Sequence, residues 1–288
     1  MTHITKVRKF MTCTNAPTDT FVEVNGLKLH YTDWNSSTEN TTLLIHGLGK
    51  ELHVWDSVAA ELARTRRVIC VDLRGHGLSD WSKEGYALES FVDDLSALLA
   101  HLNIAEIQIV GHSVGARVAI MLAAMWSGQV GHVLLSDAGP ELSQETAQLL
   151  CKASMQGMPS YDSEHGVLAA LREAHPDWRD EFHQISLRHE YRRNWIGKFI
   201  YRADPEILWM VQTEWVEGNP RLWESWEQIQ APITVLWASE SAFLDEEIVA
   251  RMRVTQPTFE LRRPTGSHFY LRQAPEEFLR YAQEALAG

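Results

Sequence analysis

The pentapeptide Gly111-His112-Ser113-Val114-Gly115 constrains this chain more than any other feature. It follows an apolar run at 107–110 and opens a helical pattern that continues to Met125. A serine set between strand and helix in this way occupies a corner so tight that the residues two before and two after it must be small. Both are glycine. The corner lifts the serine hydroxyl above the sheet and sets it at the positive end of a helix dipole. Such a corner needs a buried strand beneath it and a helix folded back on that strand. With 288 residues the chain can bury roughly three quarters of its extended surface, so a core held by disulfides or a metal is excluded.

The rest of the chain supplies matching elements. Around Asn25-Gly26, residues 21–25 and 27–33 alternate apolar and polar, the signature of a β-hairpin. Short apolar runs at 42–46, 68–72, 107–111, 133–137, 233–238 and 258–261 read as strands. Helical periodicity lies between them at about 52–64, 88–102, 114–127, 244–255 and 275–287. Pro275 suits the first turn of the last helix. Strands alternating with amphipathic helices call for a mostly parallel sheet covered on both faces. One segment interrupts the alternation. From about 139 to 219 only helical patterns appear, carrying Trp178, Trp195, Trp209 and Trp215, with Trp223 and Trp226 close behind. An all-helical insertion here reads as a cap over the ligand-binding edge of the sheet. A plain second helical layer, with no part in substrate access, is the other reading. The division expected is a polar leader at 1–20, a core made of 21–138 and 221–288, and a helical cap at 139–220.

Charge and cysteines narrow the function. Twenty-six basic residues against 38 acidic ones leave a net charge of −12. Such a chain repels phosphate backbones, which argues against a nucleic-acid partner. Cys13, Cys70 and Cys151 are odd in number and far apart, and neither C-x-x-C nor H-E-x-x-H occurs. That usage points to a reducing compartment and to no bound metal. Residues 1–20 carry Lys6, Arg8 and Lys9 but no apolar stretch of signal-peptide length. No run of about 18 apolar residues is present to span a membrane. The expectation is a cytoplasmic protein without a cofactor, acting on a small molecule. Pairing with a second copy is left open.

A serine alcohol attacks only with a base beside it. Of thirteen histidines, His268 in Pro264-Thr265-Gly266-Ser267-His268-Phe269 lies in a loop after the last apparent strand. That is where the chain order Ser…Asp…His puts the base. His112 falls inside the corner and would point away from a substrate. His165, His175, His183 and His189 fall on the insertion and read as surface residues. His46-Gly47-Leu48-Gly49 follows the strand at 42–45, and its glycines let a loop approach the serine. The backbone N–H groups of Leu48 and Val114 are then the two donors for a developing oxyanion. Arg117, in the first turn after the corner, reads as a member of structural ion pairs. Arg188, Arg192 and Arg193 read as a solvated helix face, although Arg117 and these three also suit a carboxylate substrate. The tryptophans suit an aromatic substrate wall, and equally the packing of the insertion on the core.

These stretches resemble the α/β-hydrolase superfamily along nearly the whole chain. Asp72-Leu73-Arg74-Gly75-His76-Gly77-Leu78-Ser79-Asp80 belongs to the likeness, as do residues 266–269 followed by Ala274-Pro275-Glu276-Glu277-Phe278. The resemblance implies an α/β fold with a mostly parallel eight-stranded sheet, flanking helices and a helical cap. It implies Ser113 as nucleophile, His268 as base, Leu48 and Val114 as oxyanion donors, and a structural role for residues 72–80. A serine nucleophile separates the chain from the dehalogenase and epoxide-hydrolase branches, which use aspartate there.

The acid departs from the common pattern of the superfamily. Most members place an aspartate four residues after the strand, and here Trp237-Ala238-Ser239-Glu240-Ser241 has a serine at that place. The acid is then Asp137, at the end of the run 133–137, with Asp245 and Glu240 as alternatives. Gly115-Ala116-Arg117, Glu240-Ser241 and Asp137 together are similar to members like E-2-(acetamidomethylene)succinate hydrolase, whose acid follows the sixth core strand. The implied activity is hydrolysis of a carboxylic ester, amide or lactone through an acyl-enzyme. A cofactor-free dioxygenase or a carbon–carbon bond hydrolase is the alternative on the same scaffold. A hydrolase-fold ligand receptor is the alternative outside enzymes.

Overall fold

The first described elements are the strands of a hairpin, β1 (Thr18–Val24) and β2 (Leu27–Trp34), in which Val24 pairs with Leu27. Asn25 and Gly26 turn it with φ of 50° and 74°, the left-handed pair that Asn-Gly adopts at low cost. In this computed structural model residues 17–216 and 220–287 are described. Residues 1–16, with Lys6, Arg8, Lys9 and Cys13 of the expected leader, lie outside the described residues, as do 217–219, Gly288 and the side chains of Trp215 and Val216.

Strands β3 (Thr41–Ile45), β4 (Arg67–Val71), β5 (Ile107–His112) and β6 (Val130–Ser136) follow. A separate pair, β7 (Tyr191–Arg193) and β8 (Phe199–Tyr201), precedes β9 (Ile233–Leu236) and β10 (Glu260–Arg262). The main sheet has eight strands in the order β1-β2-β4-β3-β5-β6-β9-β10. Its first two pairings, β1 with β2 and β2 with β4, are antiparallel, and the rest are parallel. This is the α/β-hydrolase architecture expected from the sequence. Because β4 and β5 lie on opposite sides of β3, the strand order reverses there. Loops at the carboxyl ends of β3 and β5 therefore diverge and open the crevice in which such sheets hold ligands.

The central strands are mostly apolar because both faces are covered. Leu43 and Ile45 of β3 pack in one cluster with Phe91, Val118 and Trp226, while Leu44 packs in another with Trp55, Val110 and Phe278. Asp72, just after β4, is buried and accepts from the backbone N–H of Leu52 and Leu78 at 2.8 Å each and from His30 at 2.7 Å. It binds three separate segments together.

Within the insertion, helices Gln144–Met155, Glu164–Ala174 and Asp180–His189 come first. A short turn Leu208–Met210 and a π-helical stretch Val211–Val216 follow. The expectation of an all-helical segment is corrected by β7 and β8, which pair antiparallel with Tyr191 opposite Tyr201. Strands of three residues are too short to display an alternation. What makes them is a turn at Asn194, whose Oδ1 accepts from the N–H of Ile196 and Lys198, with Tyr191 and Phe199 buried beside Val167 and Leu171. Arg192 and Arg193 consequently lie on a strand and not on a helix face. Their guanidinium groups stand 5.5 Å from the Trp81 ring and 4.7 Å from the Phe199 ring.

Arg74 donates to Asp94 through Nε at 2.6 Å and Nη2 at 2.7 Å, both side chains being buried. Asn25 also donates to Asp94 at 3.0 Å, so the hairpin turn is fastened to the helix Leu88–His101. Asp94→Ala leaves a buried guanidinium without its counter-charge and is predicted to cost about 3–5 kcal/mol. Urea unfolding should show a lower midpoint with an unchanged slope. A loss below about 1 kcal/mol would mean the pair is effectively solvated.

Candidate active site

The corner at Ser113 is set by how near the following helix comes to the sheet. A Cβ on Gly115 would lie 2.3 Å from the Ile45 carbonyl oxygen, and one on Gly111 would lie 2.3 Å from that of Gly115. Nothing larger than glycine fits at either place. Ser113 itself takes φ 57° and ψ −121°, a conformation an L-residue holds only when its surroundings enforce it. Its N–H donates to Ser136 at 3.0 Å, which fixes the corner to β6.

The helix Val114–Met125 starts at once, so the Val114 N–H is one of its free first-turn donors. The loop after β3 runs alongside. A Cβ on Gly47 would stand 3.0 Å from the Ser113 Cβ. Neither Leu48 N–H nor Val114 N–H has a protein acceptor among the described residues. Two unengaged donors thus flank the serine.

Asp137 follows β6, fully buried, with φ 54°. Its Oδ2 accepts from Nδ1 of His268 at 2.6 Å, and its Oδ1 from the Ala238 N–H at 2.9 Å. Ser241, standing where the aspartate was expected, donates its hydroxyl to the same Oδ2. Three donors satisfy the carboxylate without water, and its charge fixes the proton of His268 on Nδ1. Nε2 of that ring is left as the acceptor. Asp245 instead caps the helix Glu246–Thr255 by accepting from Ile248 at 2.8 Å, and the Glu240 side chain is exposed.

The imidazole is held from other sides as well. Phe243 lies flat against it, centroids 3.4 Å apart and planes 4° apart. His112, inside the corner, donates from Nε2 to the His268 carbonyl at 2.8 Å. Burial first, then the charges of His268 and Arg272, keep His112 far below the ordinary imidazole range, so it stays a neutral strut. Neither His112 nor Phe243 was identified from sequence as holding the base. Ser241 carried a signal, since a hydroxyl where a carboxylate was expected suits a partner for a displaced acid.

Above the β3 loop a buried ionic cluster joins the insertion to the core. Lys50 donates to Glu190 at 3.0 Å, and Arg272 donates to Glu190 at 2.7 Å and to Ser186 at 2.6 Å. The Arg272 guanidinium lies 4.3 Å from the Trp178 ring, on whose system His175 stacks at 3.9 Å. Burial, with the charges of Lys50 and Arg272, lowers His175 to about 4. The surface reading of the insertion's histidines therefore holds for His165, while His183 is buried and His175 and His189 are half-buried. The tryptophans do not form one wall either. Trp178 is buried, Trp226 belongs to the core, and Trp195 is 94% exposed. Trp209 lines a cavity of about 780 Å³ whose walls include none of Ser113, Asp137 and His268. Arg117 is fully buried, with Nη1 donating to the Glu214 carbonyl at 3.3 Å.

Burial works to raise the Glu190 carboxyl, but Lys50 and Arg272 outweigh it and bring the group from 4.5 down to about 2. Its contribution to stability is therefore complete above about pH 4.5 and lost as the pH falls through about 2. Glu190→Gln is predicted to cost about 3–5 kcal/mol near neutrality. In urea unfolding the gap between parent and variant should narrow from pH 5 toward pH 2, roughly across the interval between the two pKa values. A gap independent of pH would contradict the assignment.

Comparison with known proteins adds a second line. A family model described as the alpha/beta hydrolase fold matches residues 41–275. A 3-hydroxybutyrate-oligomer hydrolase of Cupriavidus necator is 26% identical over 241 residues, covering 78% of this chain and 81% of that protein. An esterase of Mycobacterium tuberculosis is 28% identical over 225 residues, covering 76% and 72%. The crystal structure of E-2-(acetamidomethylene)succinate hydrolase matches with a TM-score of 0.87 at 21% identity, covering 95% of this chain and all of that one. At that identity the likeness speaks for the fold.

Proposed function

The chain belongs to the α/β-hydrolase family of enzymes, and from that premise we propose that it is a serine hydrolase cleaving a carboxylic ester, amide or lactone of a small organic molecule. The observation that carries this reading is the 2.6 Å contact between His268 Nδ1 and the buried Asp137 carboxylate, with the His268 carbonyl bonded to His112, the residue before the serine of the glycine-bounded corner. In the mechanism, Nε2 of His268 takes the Ser113 proton as the hydroxyl oxygen attacks the carbonyl carbon. Asp137 stabilises the imidazolium that forms and keeps the ring oriented. The oxyanion is held by the N–H groups of Leu48 and Val114, each contributing on the order of 3 kcal/mol. The leaving group departs with the proton from His268, and water attacks the acyl-enzyme by the same route in reverse. The insertion acts as the cap under which the substrate binds. The names of the relatives, an oligomer hydrolase and an esterase, favour an ester as the bond cleaved.

Ser113→Ala is expected to reduce hydrolysis of p-nitrophenyl acetate to background and to abolish covalent labelling by a fluorophosphonate probe. Asp137→Asn should lower kcat by about 10⁴-fold, because the ring is then held in the wrong tautomer. Ser241→Ala, which removes one hydrogen bond to the charged group, should cost about tenfold. Retention of most activity in Ser113→Ala would overturn the nucleophile assignment. Fluorophosphonate labelling without turnover of any short ester, amide or lactone would favour the receptor reading.

A further inference from the structure

A second group of side chains stands on the boundary between core and insertion, apart from Ser113. Glu51 and His53 lie at the end of the β3 loop, and His189 ends the helix Asp180–His189. Each offers one ligand atom, and these atoms all lie within 4.8 Å of one another. We propose that Glu51, His53 and His189 bind a divalent transition-metal cation of the Zn²⁺ type, which bridges core and insertion. The three positions form no linear motif, and for that reason spacing along the sequence argued against a metal.

Glu51 provides the independent argument. It is 2% exposed, and its Oε2 accepts from the His53 N–H at 2.8 Å to start the short turn Leu52–Trp55. Its Oε1 is buried and has no hydrogen-bond partner among the described residues. A carboxylate oxygen is costly to bury unpaired, and a cation between it and two imidazoles supplies what it lacks.

The imidazoles are prepared for the same role. Asp56 engages Nδ1 of His53 at 3.0 Å, which leaves the Nε2 lone pair outward in the carboxylate–histidine–metal arrangement. The His53 and His189 rings lie against one another, centroids 3.8 Å apart and planes tilted by 38°. The charged groups around the site oppose one another. Asp19, Asp56 and Asp72 act on His53, whereas Arg188 and Arg202 act on His189. Two nitrogens and one carboxylate oxygen suit Zn²⁺, while Mg²⁺ and Ca²⁺ prefer all-oxygen sites.

The test is calorimetric titration of Zn²⁺ into the EDTA-treated full chain at about pH 7.5, where imidazoles are free to coordinate. One equivalent should bind, raise the melting temperature, and be ignored by Mg²⁺. His189→Ala and Glu51→Gln should each weaken binding by at least about tenfold. The glutamine keeps the acceptor that starts the turn, so that variant should fold. Absence of Zn²⁺ binding, or unchanged affinity in either variant, would overturn the proposal and place any bound ion on other histidines.

Discussion

The carbonyl oxygens of Ile45 and His46 occupy the space where a side chain at residue 115 would begin, at 2.3 and 2.6 Å from its Cβ position. Everything else in the candidate site is arranged about that closeness. A helix allowed this near the end of β3 brings its first N–H, the serine before it and the loop after β3 into one small region. The Leu48 and Val114 N–H groups and the Ser113 hydroxyl are then positioned by backbone, which has little freedom to drift. The cost appears as the positive φ of Ser113, and the hydrogen bond from its N–H to Ser136 is one of the contacts that enforce it.

The displaced acid follows from the order of the strands. Strand β6 lies between β5 and β9, so residues just after β6 and those after β9 reach neighbouring points beside the imidazole. Asp137 donates its N–H to Leu236 of β9 at 2.8 Å, and Ser241 of the β9 loop reaches the Asp137 carboxylate. A carboxylate after β6 with a hydroxyl after β9 is thus an exchange of partners across adjacent strands, and the imidazole need not move. Asp245, four residues beyond Ser241, is carried past this point and spends its oxygen on a helix N-terminus.

Legibility in the sequence tracked how local each determinant is. The hairpin at Asn25-Gly26, the corner at Ser113 and the Pro275 helix start are all set by residues within a few positions of one another, and the structure has all three. The contact between Asp137 and His268 was legible through an absence, the serine at 241, combined with a carboxylate that ends another strand. By contrast β7 and β8 depend on Tyr161, Tyr191 and Tyr201 packing together, and three-residue strands leave no period to detect. The Lys50–Glu190 contact joins residues 140 apart, and nothing in either neighbourhood specifies the other. His183 reads as polar on a helix, yet its Nε2 donates to the His175 carbonyl at 3.0 Å and the ring is buried.

That ionic cluster bears on how the insertion meets the core. Glu190 and Arg272 are almost wholly buried, and the Arg272 Nε has no partner among the described residues in spite of it. Removing such charges from water offsets most of what their attraction gains, so a buried pair adds little adhesion compared with apolar side chains of the same volume. What it adds is register. Lys50, two residues from Leu48, meets one carboxylate oxygen while Arg272, four residues from His268, meets the other. Glu190 is thereby a common reference for the loop bearing Leu48 and the loop bearing His268. An apolar contact of equal area would tolerate a slide of an ångström between those loops. A carboxylate held at both oxygens does not, and in a site whose donors must meet a developing charge at hydrogen-bonding distance that difference decides whether the parts act together.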